Sequence, residues 1–192
     1  MFVLTLMRDN VRTHPSDFIK PRAQALVDGL NAKYANKVLH NVGLCIRVWD
    51  IVEASDETVH IVQDGSSQCK VTFRMIVFRP FKGEIMVGKV AGNDPKHGVR
   101  VSMEFFGDIT IPPAFLQAGT EFDETEGVWV WRYDGNDLYM DKGEKIRFRM
   151  EVEQFTDVGP VRLGDDETLR ESPYRLLVSV AEPGLGLTSW WE

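Results

Sequence analysis

The chain has 192 residues, 43% hydrophobic and 27% charged, the balance of a folded globular protein long enough to bury one large core or two small ones. Its formal charge of −7 excludes a protein whose whole surface clings to nucleic acid, because such binding is driven by counterion release from phosphates. The charge is also uneven, with 10 basic and 8 acidic side chains in residues 1–81 against 12 and 21 in residues 82–192, so any RNA contact of the second half must be local.

In chain order, Phe2 to Met7 alternates in a β-prone way and leads to the turn residues His14-Pro15-Ser16. Ile19, Ala23, Leu26, Leu30 and Tyr34 then recur in steps of four, three, four and four, which describes one stripe of a helix. Ser16 or Asp17 can cap it, and Pro21, which has no amide proton, suits a regular start at Lys20. Val38–Val52, Thr58–Val62 and Cys69–Phe78 read as β-type runs, the last two joined by the turn Gln63-Asp64-Gly65-Ser66-Ser67. Strand, helix and three strands make an α+β unit, and a domain boundary falls after Phe81.

Beyond it the period is two almost everywhere. Glu84–Val90, Val99–Met103, Asp108–Ile111, Val128–Tyr133, Leu138–Met140, Lys145–Val152 and Tyr174–Val180 are short strand candidates separated by glycine, proline or acidic turns. Such a set predicts a closed or nearly closed barrel, since closure removes unpaired edges. Residues 156–172 carry Gly159-Pro160, Gly164-Asp165-Asp166-Glu167 and Ser172-Pro173 with little apolar periodicity, the pattern of a mobile inserted loop.

Few residues point to catalysis. The four histidines lack metal-site spacing, no serine or cysteine sits in a nucleophile elbow, and Gly184-Leu185-Gly186 lacks the rest of a phosphate loop. The carboxylates at Glu121–Glu126 and Asp165–Glu167 lie among turn residues. No metal and no cofactor is expected, and an enzyme is the weakest reading. Cys45 and Cys69 lie in the apolar runs GLCIRV and QCKVTF and are expected as buried reduced thiols. The N-terminal run lacks the features of a signal peptide and no run reaches the ~18 apolar residues of a membrane span, so an intracellular soluble protein is expected.

Two strands carry more information. Alternation in Lys145–Met150 puts Ile146, Phe148 and Met150 on one face and Lys145, Arg147 and Arg149 on the other, a basic row that either binds RNA or pairs with Glu151 and Glu153. Trp129, Trp131 and Tyr133 share one face of theirs, fitting core or a protein interface better than base stacking. Trp190 and Trp191 require cover, from the barrel itself or from another subunit.

The runs MFVLTLMRDNVRTHPSDF, NAKYANKVLHNVGLCIRVWDI, QDGSSQCKVTFRMIVFRPFKGEIMVGKV, GVRVSMEFFGDITIPPAFL, VWVWRY, DLYMDKGEKIRFRMEVEQF and EPGLGLTSWW span nearly the whole chain. Together they resemble the larger stalk subunits of archaeal and eukaryotic RNA polymerases, with NVGLC, VWVW and GLGLTSWW resembling the RNA polymerase III branch. The resemblance implies an α+β N-terminal tip domain at 1–81, RNP-like with one main helix on an antiparallel sheet, followed by an all-β OB-fold barrel at 82–192. It implies a non-catalytic nuclear subunit that pairs with a smaller helical stalk subunit, docks on the RNA polymerase III core and supports initiation at transfer RNA, 5S and other small RNA genes. Initiation factors and single-stranded RNA are further expected partners, and no membrane.

For individual residues it implies core docking through Asp64, Gly65 and Ser66, and a partner-subunit interface at Trp129, Trp131, Tyr133, Trp190 and Trp191. RNA-binding barrels often carry an aromatic glycine-rich second strand and a histidine in the third, where this chain reads HGVRVSM and DITIPP. The RNA-binding candidates are therefore Phe105 and Phe106 with Lys89, Arg100, Lys145, Arg147 and Arg149. The alternative is a free-standing OB-fold RNA-binding protein of translation or RNA decay.

Overall fold

The computed structural model describes residues 1–59, 65–159 and 172–191. Asp64, the end of the 58–62 run and most of the 156–172 loop lie outside the described residues. The chain divides into two compact units, Met1–Arg79 and Pro80–Glu192.

The first unit runs β1 (Phe2–Thr13), a 3-10 turn (Pro15–Ile19), α1 (Arg22–Tyr34), β2 (Lys37–Leu39), β3 (Gly43–Ala54), β4 (Thr58–Val59) and β5 (Ser67–Phe78). The sheet order is β1-β5-β3-β2, with β4 also against β5, and every pairing is antiparallel. Alternation along β5 turns Cys69, Val71, Phe73, Met75 and Val77 into the core beneath α1, which contributes Leu26 and Leu30. Cys45 and Cys69 are buried free thiols, and burial pushes the Cys45 thiol up from its ordinary value.

The helix differs from its expected stripe. Pro21 is extended, with ψ of 134°, and the Ala25 amide closes the first turn on the Pro21 carbonyl. Ile19 is consequently left in the 3-10 turn at 93% exposure, and the buried face is Ala25, Leu26 and Leu30. A proline between two short helical pieces shifts the face that a count across it assigns.

The second unit runs β6 (Ile85–Asp94), β7 (Gly98–Met103), β8 (Phe106–Ile111), β9 (Thr120–Asp123), β10 (Val128–Tyr133), β11 (Asn136–Tyr139), β12 (Lys145–Phe155), β13 (Tyr174–Ser179) and β14 (Gly186–Leu187). Strands β6, β7, β8, β13 and β12 pair in that order, and β12 pairs back to β6, which closes a barrel with β8 and β13 parallel. That order is the OB arrangement, and β14 adds to β12. Val90, Val99, Val101, Ile109, Ile111, Ile146, Phe148 and Val178 fill the interior.

The strand VWVWRY is not a barrel stave. It pairs with β9 and β11 in a separate three-stranded sheet inserted between β8 and β12. Its hairpin follows from local chemistry: Asp134 and Gly135 take φ of 49° and 76°, the two left-handed residues that join strands in a tight turn. Burial along β10 does not alternate, since the neighbours Trp129 and Val130 are both buried and Arg132 and Tyr133 both exposed, and its period-two pattern says nothing about which sheet receives the strand.

Candidate nucleic-acid and partner interfaces

Strand β12 alternates as expected, with Ile146, Phe148 and Met150 buried and Lys145 and Arg147 exposed. Register decides what each cation meets: Lys145 lies opposite Lys89, Arg147 opposite Val87 and Arg149 opposite Ile85. Arg149 is committed elsewhere, donating to Glu151 over 2.7 and 2.8 Å and also to Glu182. Arg147 donates to the Gly184 carbonyl over 3.3 Å. Arg100 sits on β7 against Gly92, with its guanidinium over the place a side chain would fill.

The two adjacent phenylalanines have opposite fates. Phe106 is 7% exposed and its ring lies 5.6 Å from that of Tyr174, so it belongs to the core and offers no stacking surface. Phe105, at the β7–β8 turn, is 45% exposed and lines a shallow cavity of about 240 Å³ with Val87, Lys89, Met103 and Lys145. Three expected RNA contacts, Lys89, Phe105 and Lys145, thus meet at one place, with Arg100, Arg147 and Arg149 outside that cavity.

The aromatic strip of β10 also divides. Trp129 is buried, meets Phe122 edge-on at 5.4 Å and donates to the Asp94 carbonyl over 3.1 Å. Trp131 gathers Tyr133, Trp190 and Trp191, with ring centroids 4.9, 5.3 and 6.3 Å away. Its indole donates to Ala118, and that of Trp191 to Leu185, so the polar handles are satisfied within the chain. Gly186, at φ of 106°, makes room: a Cβ there would stand 2.6 Å from the Trp190 ring. The barrel unit covers much of its own terminal tryptophans, while Tyr133 and Trp191 keep an exposed aromatic rim.

A family model described as RNA polymerase III subunit Rpc25 matches residues 84–191, over half of the chain. The chain belongs to the RNA polymerase III subunit Rpc25 family. A second model, an SHS2 domain found in the N terminus of Rpb7p and Rpc25p, matches residues 8–67 and so identifies the helix-on-sheet unit. This Rpc25-family chain is similar to DNA-directed RNA polymerase III subunit RPC8 of Bos taurus, 47% identical over 203 residues that cover 100% of this chain and 98% of that one. It is 40% identical to subunit rpc8 of Schizosaccharomyces pombe and 38% to subunit RPC8 of Saccharomyces cerevisiae, with both chains covered in full in each case.

In the SHS2 unit of this Rpc25-family chain, Gly65 takes φ of 67° and Ser66 is buried. Sequence reasoning missed the sheet face opposite α1. Phe2, Leu4 and Leu6 of β1 and Trp49 of β3 are between 48% and 64% exposed there, and a hollow of about 210 Å³ is lined by Phe2, Val3, Leu4, Trp49 and Ile76. The available signal was that the first half of β1, Phe2–Met7, carries apolar residues on both faces, which a sheet covered on one side does not need. Among the described residues no His, Cys, Asp or Glu cluster could hold a metal, and no helix is long and apolar enough to cross a membrane.

Proposed function

We propose that this protein is the larger, non-catalytic subunit of the RNA polymerase III stalk. One observation carries this: end-to-end similarity at 38–47% identity to chains named as RNA polymerase III subunits, across both structural units. A free-standing translation or RNA-decay factor has no support in those similarities. In this reading the protein works in the nucleus beside a smaller helical partner and supports initiation at transfer RNA, 5S and other small RNA genes. It needs no cofactor and no active site of its own, its contribution being to hold surfaces in place for RNA and initiation factors. The test is purification of the tagged protein from nuclear extract. Co-elution with the large polymerase subunits is expected, and recovery as a monomer or on ribosomes would overturn the proposal.

Within it, the aromatic rim of Trp131, Tyr133, Trp190 and Trp191 is the partner-subunit surface on the barrel unit, supported by the exposure of Tyr133 and Trp191 at 59% and 45%. Trp129 serves by holding the inserted sheet. The segment at Asp64 and Gly65 docks on the polymerase core, so replacing it should weaken retention on the core enzyme while the stalk pair stays assembled, and the burial of Ser66 argues for a structural role at that position. RNA meets the barrel at Lys89, Phe105 and Lys145, with Arg100 and Arg147 adding charge. The carboxylate partners of Arg149 and the burial of Phe106 argue for structural roles at those two positions.

A further inference from the structure

Ser172-Pro173 is the one place in the chain where a serine or threonine precedes proline, and Arg175 stands three positions after the serine. These residues lead into β13. Pro173 and Arg175 are exposed and Ser172 is half-buried, while regular strand pairing begins at Tyr174. Proline fixes its own φ and pushes the residue before it into extended backbone, so Ser172 has the shape of a segment that another protein can read. The Ser172 hydroxyl donates to the Tyr174 carbonyl over 2.9 Å and accepts from the Tyr174 amide over 3.4 Å. Both partners are two residues away, so releasing the hydroxyl breaks no bond between elements. Among the described residues Tyr174 and Arg175 pair with β12 alone, the ladder to β8 starting at Leu176, which leaves one side of the main chain open. On the β12 side, Phe155 lies opposite Tyr174 and the Thr156 amide donates to the Pro173 carbonyl over 3.1 Å. One further step of that register sets Ser172 against the exposed Asp157.

We infer that Ser172 is a phosphorylation site for a proline-directed protein kinase and that its phosphate opens the end of the β12–β13 pair. A proline after the serine leaves no amide proton to be satisfied in the kinase groove, and Arg175 supplies the charge such enzymes use to choose substrates. In the transfer, Ser172 Oγ attacks the γ-phosphorus of ATP. The new Oγ–P bond forms as the bond to the departing ADP oxygen breaks, and the hydroxyl proton passes to the catalytic carboxylate of the kinase. Two local consequences follow from the added charge. The oxygen that donated to the Tyr174 carbonyl no longer carries a proton, and a group of charge near −2 stands across from the Asp157 carboxylate, where like charges repel. Further in, the Tyr174 ring stacks on Phe155 at 4.5 Å and lies 5.6 Å from Phe106, so the opening stops at the first pair and the barrel core stays closed. The site is independent of the proposed stalk function, and neither stands or falls with the other.

The experiment treats the full-length folded chain with a purified cyclin-dependent kinase and magnesium ATP, and maps incorporated phosphate by tandem mass spectrometry. Wild type should carry phosphate at Ser172. Ser172→Ala and Pro173→Ala should lose it, and Arg175→Gln should slow it, with circular dichroism confirming that each variant is folded. A free peptide containing Ser-Pro-Tyr-Arg serves as the accessibility control. If the peptide is phosphorylated and the folded chain is not, the serine is shielded by the fold and the inference fails. Phosphate that persists in Ser172→Ala while absent from Ser172 in wild type overturns it as well. The second readout is amide hydrogen exchange, which follows the Thr156 amide bonded to Pro173. Phosphorylation should speed its exchange about two- to fivefold, the size set by one like-charge pair across a strand pair. On an Asp157→Asn background the acceleration should shrink, which separates repulsion from a general loss of structure. Phosphate at Ser172 with unchanged exchange at Thr156, or an equal acceleration with and without Asp157, would overturn the opening.

Discussion

Changing Gly186 to Ala should loosen the whole C-terminal aromatic cluster. The added Cβ would stand 2.6 and 2.8 Å from two carbons of the Trp190 ring and 2.8 Å from the Gln117 amide nitrogen. Because φ there is +106°, the backbone is strained for any residue with a side chain, by about 1–3 kcal/mol. To relieve the contact Trp190 must move off Trp131, a ring pair worth about 0.5–1.5 kcal/mol, and Gln117 must give up its bond to Leu185, worth about 1 kcal/mol. These effects share one location and do not add fully, so the expected loss is about 3 kcal/mol. Equilibrium urea unfolding followed by tryptophan fluorescence reads it directly, since four of the five tryptophans lie in the barrel unit. With a urea dependence of about 1–3 kcal/mol per molar, the barrel midpoint should drop by at least about 1 M. On a Trp190→Ala background the same change should cost only the backbone strain and the Gln117 bond. A variant within about 0.5 kcal/mol of wild type, or an equal loss with and without Trp190, would refute the reasoning.

Three further outcomes are expected. Phe106→Ala should cost about 3–5 kcal/mol in barrel stability, as a buried ring against Tyr174 does. Arg149→Gln should leave the salt dependence of RNA affinity unchanged and slightly lower the unfolding midpoint, because its guanidinium is held by Glu151 and Glu182, while Arg147→Gln should flatten the salt dependence. Burial pushes the Asp9 carboxyl up, but hydrogen bonds from Lys33 at 2.5 Å and Tyr34 at 2.7 Å outweigh it and hold the group below its ordinary value. A depressed carboxyl contributes stability above its unfolded value and loses it as the pH falls below about 4, so Asp9→Asn should flatten the acid limb of the SHS2 unit's stability in circular-dichroism melts.

Much of the site was legible because strand alternation is a local property. The burial of Ile146, Phe148 and Met150 against the exposure of Lys145 and Arg147 could be read from six consecutive residues. Alternation could not say that Arg149 would meet Glu182, which is 33 residues away, or that Phe105 and Phe106 would separate into surface and core at a turn. The apolar outer face of β1 was visible in Phe2, Leu4 and Leu6, alternate positions of one strand. It was overlooked because a single strand does not show whether a helix covers its other side.

By itself the sequence determined the elements and the kinship: a helix stripe, a series of period-two strands, and runs similar over the full chain to one polymerase subunit family. Those follow from short-range sterics, hydrophobic periodicity and residue identity, all of which are written in neighbouring positions. Only the tertiary structure decided that VWVWRY leaves the barrel for a sheet of its own and that Trp190 and Trp191 return to cover Trp131. It also decided that Lys145 faces Lys89 across a strand pair formed 56 residues apart. Register between distant strands is set by the packing of the closed barrel as a whole, and no local pattern encodes which two cations that packing will place side by side.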